Sequence, residues 1–85
     1  MRASAATMLL LEALEAQEVL KLRGFTTSIG DANAVVIERW GHMRGLWRVH
    51  NGQYFWTGAA SSQPTHAVAN VEGAVAYTLG VIAAS

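Results

Sequence analysis

The first quarter of the chain has the hydrophobic spacing of an α-helix. Residues 4–23 are rich in Ala, Leu, Met and Glu and contain neither Gly nor Pro. Ser4 is a suitable N-cap, and Gly24 is suited to the position just past the C-terminus. The pattern therefore predicts one helix over residues 4–23. Its main apolar stripe comprises Leu9, Leu10, Ala13, Ala16 and Leu20.

Apolar residues of this helix extend beyond that stripe. Glu15, Glu18 and Lys21 mark the polar side, yet four large apolar residues flank that side or lie within it. They are Met8, Leu11, Leu14 and Leu22. A helix on the surface of a monomer normally has a single apolar stripe. We therefore expect these four residues to mediate self-association, giving a homodimer or a higher homo-oligomer. One face of the predicted sheet, through Trp40, Leu46 and Phe55, is the competing surface for that contact.

The middle of the chain predicts a β-hairpin. Residues 46–50 and 53–57 read as strands, and Asn51-Gly52 between them is the strongest short signal for a type I′ turn. That turn pairs Trp47 with Trp56, and alternation then sorts the side chains onto two faces. Trp47, Val49, Tyr54 and Trp56 share the core face. The open face carries Leu46, Arg48, His50, Phe55 and Thr57.

A further strand precedes the hairpin at residues 34–40, where Val35, Val36 and Ile37 are β-branched. We expect residues 41–45 to form the turn. A turn of three or five residues places Val35 and Ile37 in the core, whereas a two-residue turn would reverse the faces. We follow the hydrophobic pattern, which leaves Val36, Glu38 and Trp40 on the open face.

The flanking segments complete the predicted fold. Residues 25–33 form a connection with room for a short edge strand, and residues 66–69 could add a fourth strand. Asn70 is a suitable N-cap for a helix over residues 71–84, with an apolar stripe of Val71, Val75, Leu79 and Ile82. The prediction is a single two-layer α+β domain over residues 1–85: a helix, a three- or four-stranded antiparallel meander and a helix, with both helices on one sheet face.

Composition narrows the class of protein. Of the 85 residues, 52% are apolar and only 14% are charged, with six basic and six acidic side chains. These values exclude a disordered chain and a generally basic nucleic-acid-binding protein. With no cysteine, a disulfide framework, a thiolate zinc site and a cysteine nucleophile are excluded as well. The low charge favours a surface that contacts another chain.

The N-terminus bears on localisation. Arg2 is followed by an apolar run over residues 5–11, which Glu12 ends. That run favours a helix of the mature protein, with a signal peptide as the alternative. No run approaches the ~18 residues of a membrane span, so we expect a cytoplasmic protein without membrane contacts.

Basic and aromatic residues alternate in one segment. Residues 39–56 contain three arginines and two histidines but no acidic residue. Arg39, Arg44 and Arg48 are candidate phosphate contacts, since bases beside aromatics can bind nucleic acid. The alternative, which we favour, is a hairpin whose aromatics are core residues and whose arginines are solvated.

The element order is similar to that of double-stranded-RNA-binding domains, which also run helix, three antiparallel strands, helix. Those domains bind phosphates through a lysine cluster at the start of the second helix. Here that position reads Asn70-Val-Glu-Gly-Ala, without any base. The resemblance therefore covers the topology and not the residues that carry the function.

The open sheet face is the other candidate site. We expect Trp40, Leu46, Arg48, His50 and Phe55 to bind a protein or a small apolar ligand, because an apolar centre with a polar rim is typical of interfaces. If a ligand pocket exists between the layers, we expect it near Tyr54, Trp56 and Tyr77. The three histidines have no metal-ligand spacing, and no catalytic constellation is evident. We therefore predict a non-enzymatic, homo-oligomeric binding or regulatory module without metal or cofactor; the alternative is nucleic-acid binding through residues 39–56.

Overall fold

The first helix begins at the predicted cap but is shorter than predicted. In the computed structural model, which describes residues 4–84, Ser4 Oγ accepts a hydrogen bond from the Thr7 backbone N–H at 3.2 Å. Helix α1 spans Ala5–Glu15, and a separate helix α2 spans Glu18–Leu22. The prediction of one continuous helix over residues 4–23 is therefore wrong.

The break has a packing reason. Leu14 and Leu20 are both buried in the core, at 0% and 2% exposure. Six residues apart on a continuous helix of 3.6 residues per turn, they would point about 120° away from each other. Gln17 adopts an extended backbone between the helices, with φ −84° and ψ 106°. This interruption redirects α2, so that Leu20 also faces the sheet.

Five antiparallel strands and a third helix follow within the described residues. In chain order the strands are β1 (Phe25–Gly30), β2 (Ala34–Arg39), β3 (His42–His50), β4 (Gln53–Gly58) and β5 (His66–Val68), and the helix is α3 (Val71–Ala83). The strands lie side by side in chain order, with β1 and β5 at the edges. The α+β fold is therefore confirmed, with one strand more than the meander of three or four that the sequence predicts.

The hairpin register is confirmed. His50 pairs with Gln53 and Trp47 with Trp56, as the Asn51-Gly52 turn requires. Both turn residues have positive φ, 51° and 76°, which is the geometry of a type I′ turn. The two tryptophans therefore lie side by side on the core face.

The turn between β2 and β3 differs from the prediction in length. Only Trp40 and Gly41 connect the strands, with φ 52° and 81°, so residues 42–45 belong to β3. A two-residue turn would send Val35 and Ile37 to the open face, but the pairing shifts between Ile37 and Glu38. This β-bulge leaves one residue of β3 unpaired. The extra residue offsets the effect of the short turn, so that Val35 and Ile37 lie on the core face. Val35 and Ile37 are buried as predicted.

The core centres on Trp47. Its fully buried indole Nε1–H donates to Thr78 Oγ1 at 2.9 Å, and that hydroxyl donates to the Ala74 carbonyl at 2.8 Å. The inner stripe of α3 is therefore Ala74, Thr78 and Ile82. Val71, Val75 and Leu79, which the sequence places in the stripe with Ile82, are only half-buried. Small side chains at the centre let the helix backbone approach the large indole closely.

The Trp47–Thr78 hydrogen bond predicts a stability difference between two variants. Thr78→Val keeps a branched side chain but leaves the buried indole N–H without an acceptor, which costs about 1–3 kcal/mol. Thr78→Ser keeps the hydroxyl and is the control. Urea unfolding is expected to show a larger loss for the valine variant. Equal stability of wild type and Thr78→Val would mean that the bond contributes nothing.

The close packing at Gly45 predicts that alanine substitutions at two glycines change the unfolding free energy in opposite directions. A Cβ at Gly45 would lie 2.2 Å from the Trp56 ring, whereas nothing lies within 4 Å of a Cβ at Gly80 in α3. Gly45→Ala should therefore lower the unfolding free energy by about 1–3 kcal/mol through overpacking. Gly80→Ala should raise it by up to about 1 kcal/mol, because Ala is the better helix former. Thermal or urea unfolding checks both, and a harmless Gly45→Ala would contradict the close approach of Trp56.

Tyr54 predicts a dependence of stability on pH. Its hydroxyl donates to the Ala6 carbonyl at 3.1 Å, and burial, followed by the negative charge of Glu72, raises the pKa of Tyr54 above its usual value of 10.0. Its contribution to stability is therefore complete below pH 10 and is lost as the pH rises through the folded-state pKa. Tyr54→Phe should cost about 0.5–1.5 kcal/mol at neutral pH. The difference from wild type should shrink above pH 10 in unfolding experiments, and a constant difference would contradict the raised pKa.

Candidate functional site

The face of the sheet opposite the helices brings three predicted binding residues together. Arg48 pairs with Phe55 across β3 and β4, and both side chains point to this open face. His50 lies two residues further along β3 and shares the face by alternation. Hairpin register alone therefore places a cation, an imidazole and an aromatic ring side by side.

Two loops turn this part of the face into a cleft. The cleft has a volume of about 450 Å³ and is lined by Ala32, Arg48, Val49, His50, Phe55 and Pro64. Pro64 comes from the loop between β4 and β5, and the Thr65 N–H of that loop donates to the Trp56 carbonyl at 2.9 Å. Ala32 comes from the three-residue helical turn Asp31–Asn33. The loops supply walls, and the sheet supplies the floor.

The Ala32 wall is fastened to the helix layer. Ala32 and Asn33 both have positive φ, 57° and 61°. The Asn33 amide oxygen accepts from the Ser4 N–H at 2.9 Å, and its amide nitrogen donates to Ser4 Oγ at 3.0 Å. The same residues that cap α1 therefore hold one side of the cleft in place.

Nothing in the local sequence identifies Ala32 and Pro64 as site residues. Pro64 is the single proline of the chain and predicts only a loop, and Ala32 carries no functional group. Their contribution depends on where two surface loops lie over the sheet. This path is a property of the assembled fold.

Leu46 lies on the open face as predicted, but outside the cleft lining. It pairs with Val36 on one side and Thr57 on the other. Val36 and Leu46 are half-buried, and Thr57 is only 7% exposed. The exposed apolar area at the centre of the open face is therefore smaller than the sequence predicts.

Trp40 does not join this face, so the prediction that it lies there with Arg48, His50 and Phe55 is wrong. It lies in the β2–β3 turn and is 74% exposed. Its indole lies over Gly24, where a Cβ would be 2.8 Å from Trp40 Nε1. The positive φ of the turn directs the ring to the end of the sheet, beside the chain that leaves α2.

Arg39 belongs to that end of the sheet as well. Its guanidinium carbon lies 4.0 Å from the Trp40 ring centroid and 5.1 Å from that of Phe25. Its Nε is buried and has no hydrogen-bond partner among residues 4–84. Cation–π contacts with two rings therefore hold this arginine.

The three candidate phosphate contacts are consequently not one cluster. Arg44 is the extra residue of the bulge in β3, and Arg48 lies four residues further along, about 13 Å at 3.3 Å per residue. Arg48 lies on the open face, whereas Arg39 pairs with Phe25 and follows the core-face positions of β2. Arg39 therefore does not share the open face with Arg48, because the tight turn and the bulge place it at the end of the sheet. Phosphate contact by these arginines stays a prediction.

The predicted self-association residues are also divided. Leu14 is fully buried in the chain's own core, so its assignment to an outer surface is wrong. Leu11 is half-buried and packs against that core. Met8 and Leu22 are 39% and 84% exposed, but they lie on separate helices. Leu9, which the sequence places in the main stripe, is 58% exposed, since the core-facing residues of α1 are Thr7, Leu10 and Leu14.

The predicted pocket between the layers is filled. The Trp56 ring lies 5.3 Å from that of Trp47 and 5.9 Å from that of Tyr77, measured between centroids. His66 stacks on the outer side of this cluster, 4.0 Å from Tyr77 with the rings nearly parallel. Tyr54 is occupied by its hydrogen bond to α1. Packed aromatic side chains therefore fill the space between the layers where we expected a ligand pocket.

Residues 4–84 contain no group of three or more His, Cys, Asp or Glu side chains placed to hold a metal ion. None of the helices in that range is long and apolar enough to cross a membrane. No protein-family model matches the chain, and no curated protein or solved structure shows significant similarity to it.

Proposed function

We propose that the chain is a non-enzymatic binding module whose cleft takes a small ligand with an apolar body and an anionic group. The observation that carries the proposal is the pairing of Arg48 with Phe55 on the floor of the cleft. Its volume of about 450 Å³ lies within the range of about 300–1,000 Å³ that is usual for small-molecule sites.

The lining explains the choice of ligand. Phe55 and Pro64 offer apolar surface for a planar or aliphatic body. The guanidinium of Arg48 presents paired N–H donors, which match the two oxygens of a carboxylate or phosphate. His50 adds a second polar group at the same end. A ligand with both parts gains hydrophobic burial and a charge-assisted hydrogen bond at once.

Self-association is the second part of the proposal. Only 14% of the residues are charged, and several large aliphatic side chains of the helix layer are exposed. They are Leu22, Leu9, Val19 and Met8, which are 84%, 58%, 41% and 39% exposed. Covering such surface with a second copy would remove apolar area from water.

Nucleic-acid binding through residues 39–56 is the alternative, and the geometry gives it less support. It relies on Arg39, Arg44 and Arg48 together, and Arg39 is held by Phe25 and Trp40. Phosphate contacts would also make binding fall steeply as salt rises, which a mainly apolar cleft would not show. Salt dependence therefore separates the two functions.

A ligand titration followed by NMR tests the cleft. We expect naphthoate to shift the amide signals of Arg48, His50 and Phe55, and naphthalenemethanol, which lacks the charge, to bind more weakly. Arg48→Ala should weaken naphthoate binding at least about tenfold, the loss of one charge-assisted hydrogen bond. Arg44→Ala removes an exposed arginine of the same strand that lies outside the cleft lining, and it should leave the affinity unchanged.

Two results would contradict the proposal. One is a set of naphthoate-induced shifts that spreads over the whole chain or avoids the cleft. The other is equal weakening by both arginine variants together with tight, strongly salt-dependent binding of a single-stranded oligonucleotide. That second result would favour the nucleic-acid alternative.

A further inference from the structure

Strand β1 is an unprotected sheet edge. It is six residues long, and it pairs with β2 without interruption from Phe25 to Gly30. Within residues 4–84 no strand pairs with its other side. Its sequence, Phe-Thr-Thr-Ser-Ile-Gly, contains no charged residue and no proline. Edge strands that must remain single usually carry charges, prolines or bulges, or are very short.

The opposite edge shows the contrast. Strand β5 has only three residues, His66–Val68, and Pro64 lies just before it. A strand that short, next to a proline, offers a poor template for another chain. The two edges of the same sheet therefore differ in their capacity to pair.

An apolar cavity lies beside β1. Its volume is about 230 Å³, and its lining is mostly apolar in exposed area. The lining residues are Leu14 and Glu15 of α1, Leu20 and Lys21 of α2, and Phe25, Thr26 and Thr27 of β1. For comparison, an engineered apolar cavity of about 150 Å³ binds benzene. The space is partly open to solvent, and it has room for a branched aliphatic side chain.

Ile29 is the complementary part of the same strand. Phe25, Thr27 and Ile29 share the face of β1 that looks towards the helices, by alternation. Phe25 is buried, whereas Ile29 is 40% exposed. One end of β1 therefore offers a cavity, and the other end offers an exposed side chain of suitable shape.

We propose that β1 pairs antiparallel with β1 of a second copy, about a twofold axis at Thr27. In this register Thr27 lies opposite the partner's Thr27, and Phe25 lies opposite the partner's Ile29. Each Ile29 then reaches the cavity beside the other copy's Phe25. The two sheets join into one of ten strands, with both helix layers on the same side.

The free edge of β1 is suited to β1 of a second copy, because the pairing of the two strands is self-complementary. Thr26 and Ser28, exposed on the other face, meet the partner's Ser28 and Thr26, so no like charges oppose each other. Both ends of the interface bury an isoleucine, which is the isologous arrangement expected of a twofold dimer. This inference rests on the proposed self-association. It places the contact between the two copies at β1 and not at the exposed residues of the helices.

The test adds charges to the edge at two exposed positions, residues 26 and 28. In Thr26→Lys/Ser28→Lys, the twofold pairing puts two pairs of ammonium groups directly opposite each other, which opposes association. The control, Ala67→Lys/Ala69→Lys, adds the same charges at exposed positions on and beside β5. Light scattering after size exclusion measures the mass, and circular dichroism checks that both variants are folded.

We expect wild type and control at twice 9.1 kDa, and the β1 variant at 9.1 kDa at the same concentration. Mixing the β1 variant with Thr26→Glu/Ser28→Glu should restore the dimer, because opposite charges then face each other. Restoration excludes misfolding as the cause of the loss.

Two outcomes would overturn the inference, and they differ in their reach. A monomeric wild type overturns self-association altogether. A dimer that survives the β1 lysines but is lost in Leu22→Glu leaves self-association standing and moves it to the helix surface. Naphthoate binding in the cleft is measured separately, so neither outcome decides that part of the proposed function.

Discussion

The indole of Trp47 imposes the strictest constraint on this fold. It lies on the central strand β3 and is fully buried, and its N–H needs an acceptor there. Thr78 is that acceptor, so α3 must present this residue to the sheet at hydrogen-bond distance. The rotation of α3 and the use of Ala74 beside Thr78 follow from this contact. The Trp56 and Tyr77 rings then close around the same indole.

Packing all helices on one side of the sheet determines where binding can occur. Aromatic rings fill the space between the layers, and Gly45 is needed so that Trp56 can lie across β3. The surfaces that stay available include the open face with its two walls at Ala32 and Pro64, the edge of β1 and the outer side of the helix layer. The proposed ligand site therefore lies on one face of the sheet, and the proposed dimer surface lies at its β1 edge.

Part of the candidate site could be predicted from the sequence. Arg48, His50 and Phe55 meet because the Asn51-Gly52 turn dictates the pairing of β3 with β4, and such a turn is readable from two residues. The positions of Trp40 and Arg39 could not be predicted in the same way. Their positions depend on a two-residue turn with positive φ and on a bulge that compensates for it, and neither leaves a clear local signal.

Local backbone chemistry is what the sequence by itself determined: the caps at Ser4 and Asn70, the hairpin register, and the alternation that buries Val35 and Ile37. Each depends on residues a few positions apart, so short-range sterics and hydrogen bonds suffice. The tertiary structure decided the break after α1, the rotation of α3 and the paths of the loops over the open face. These depend on contacts between distant segments, in which burial of Leu20 and Trp47 outweighs the local preference of each helix.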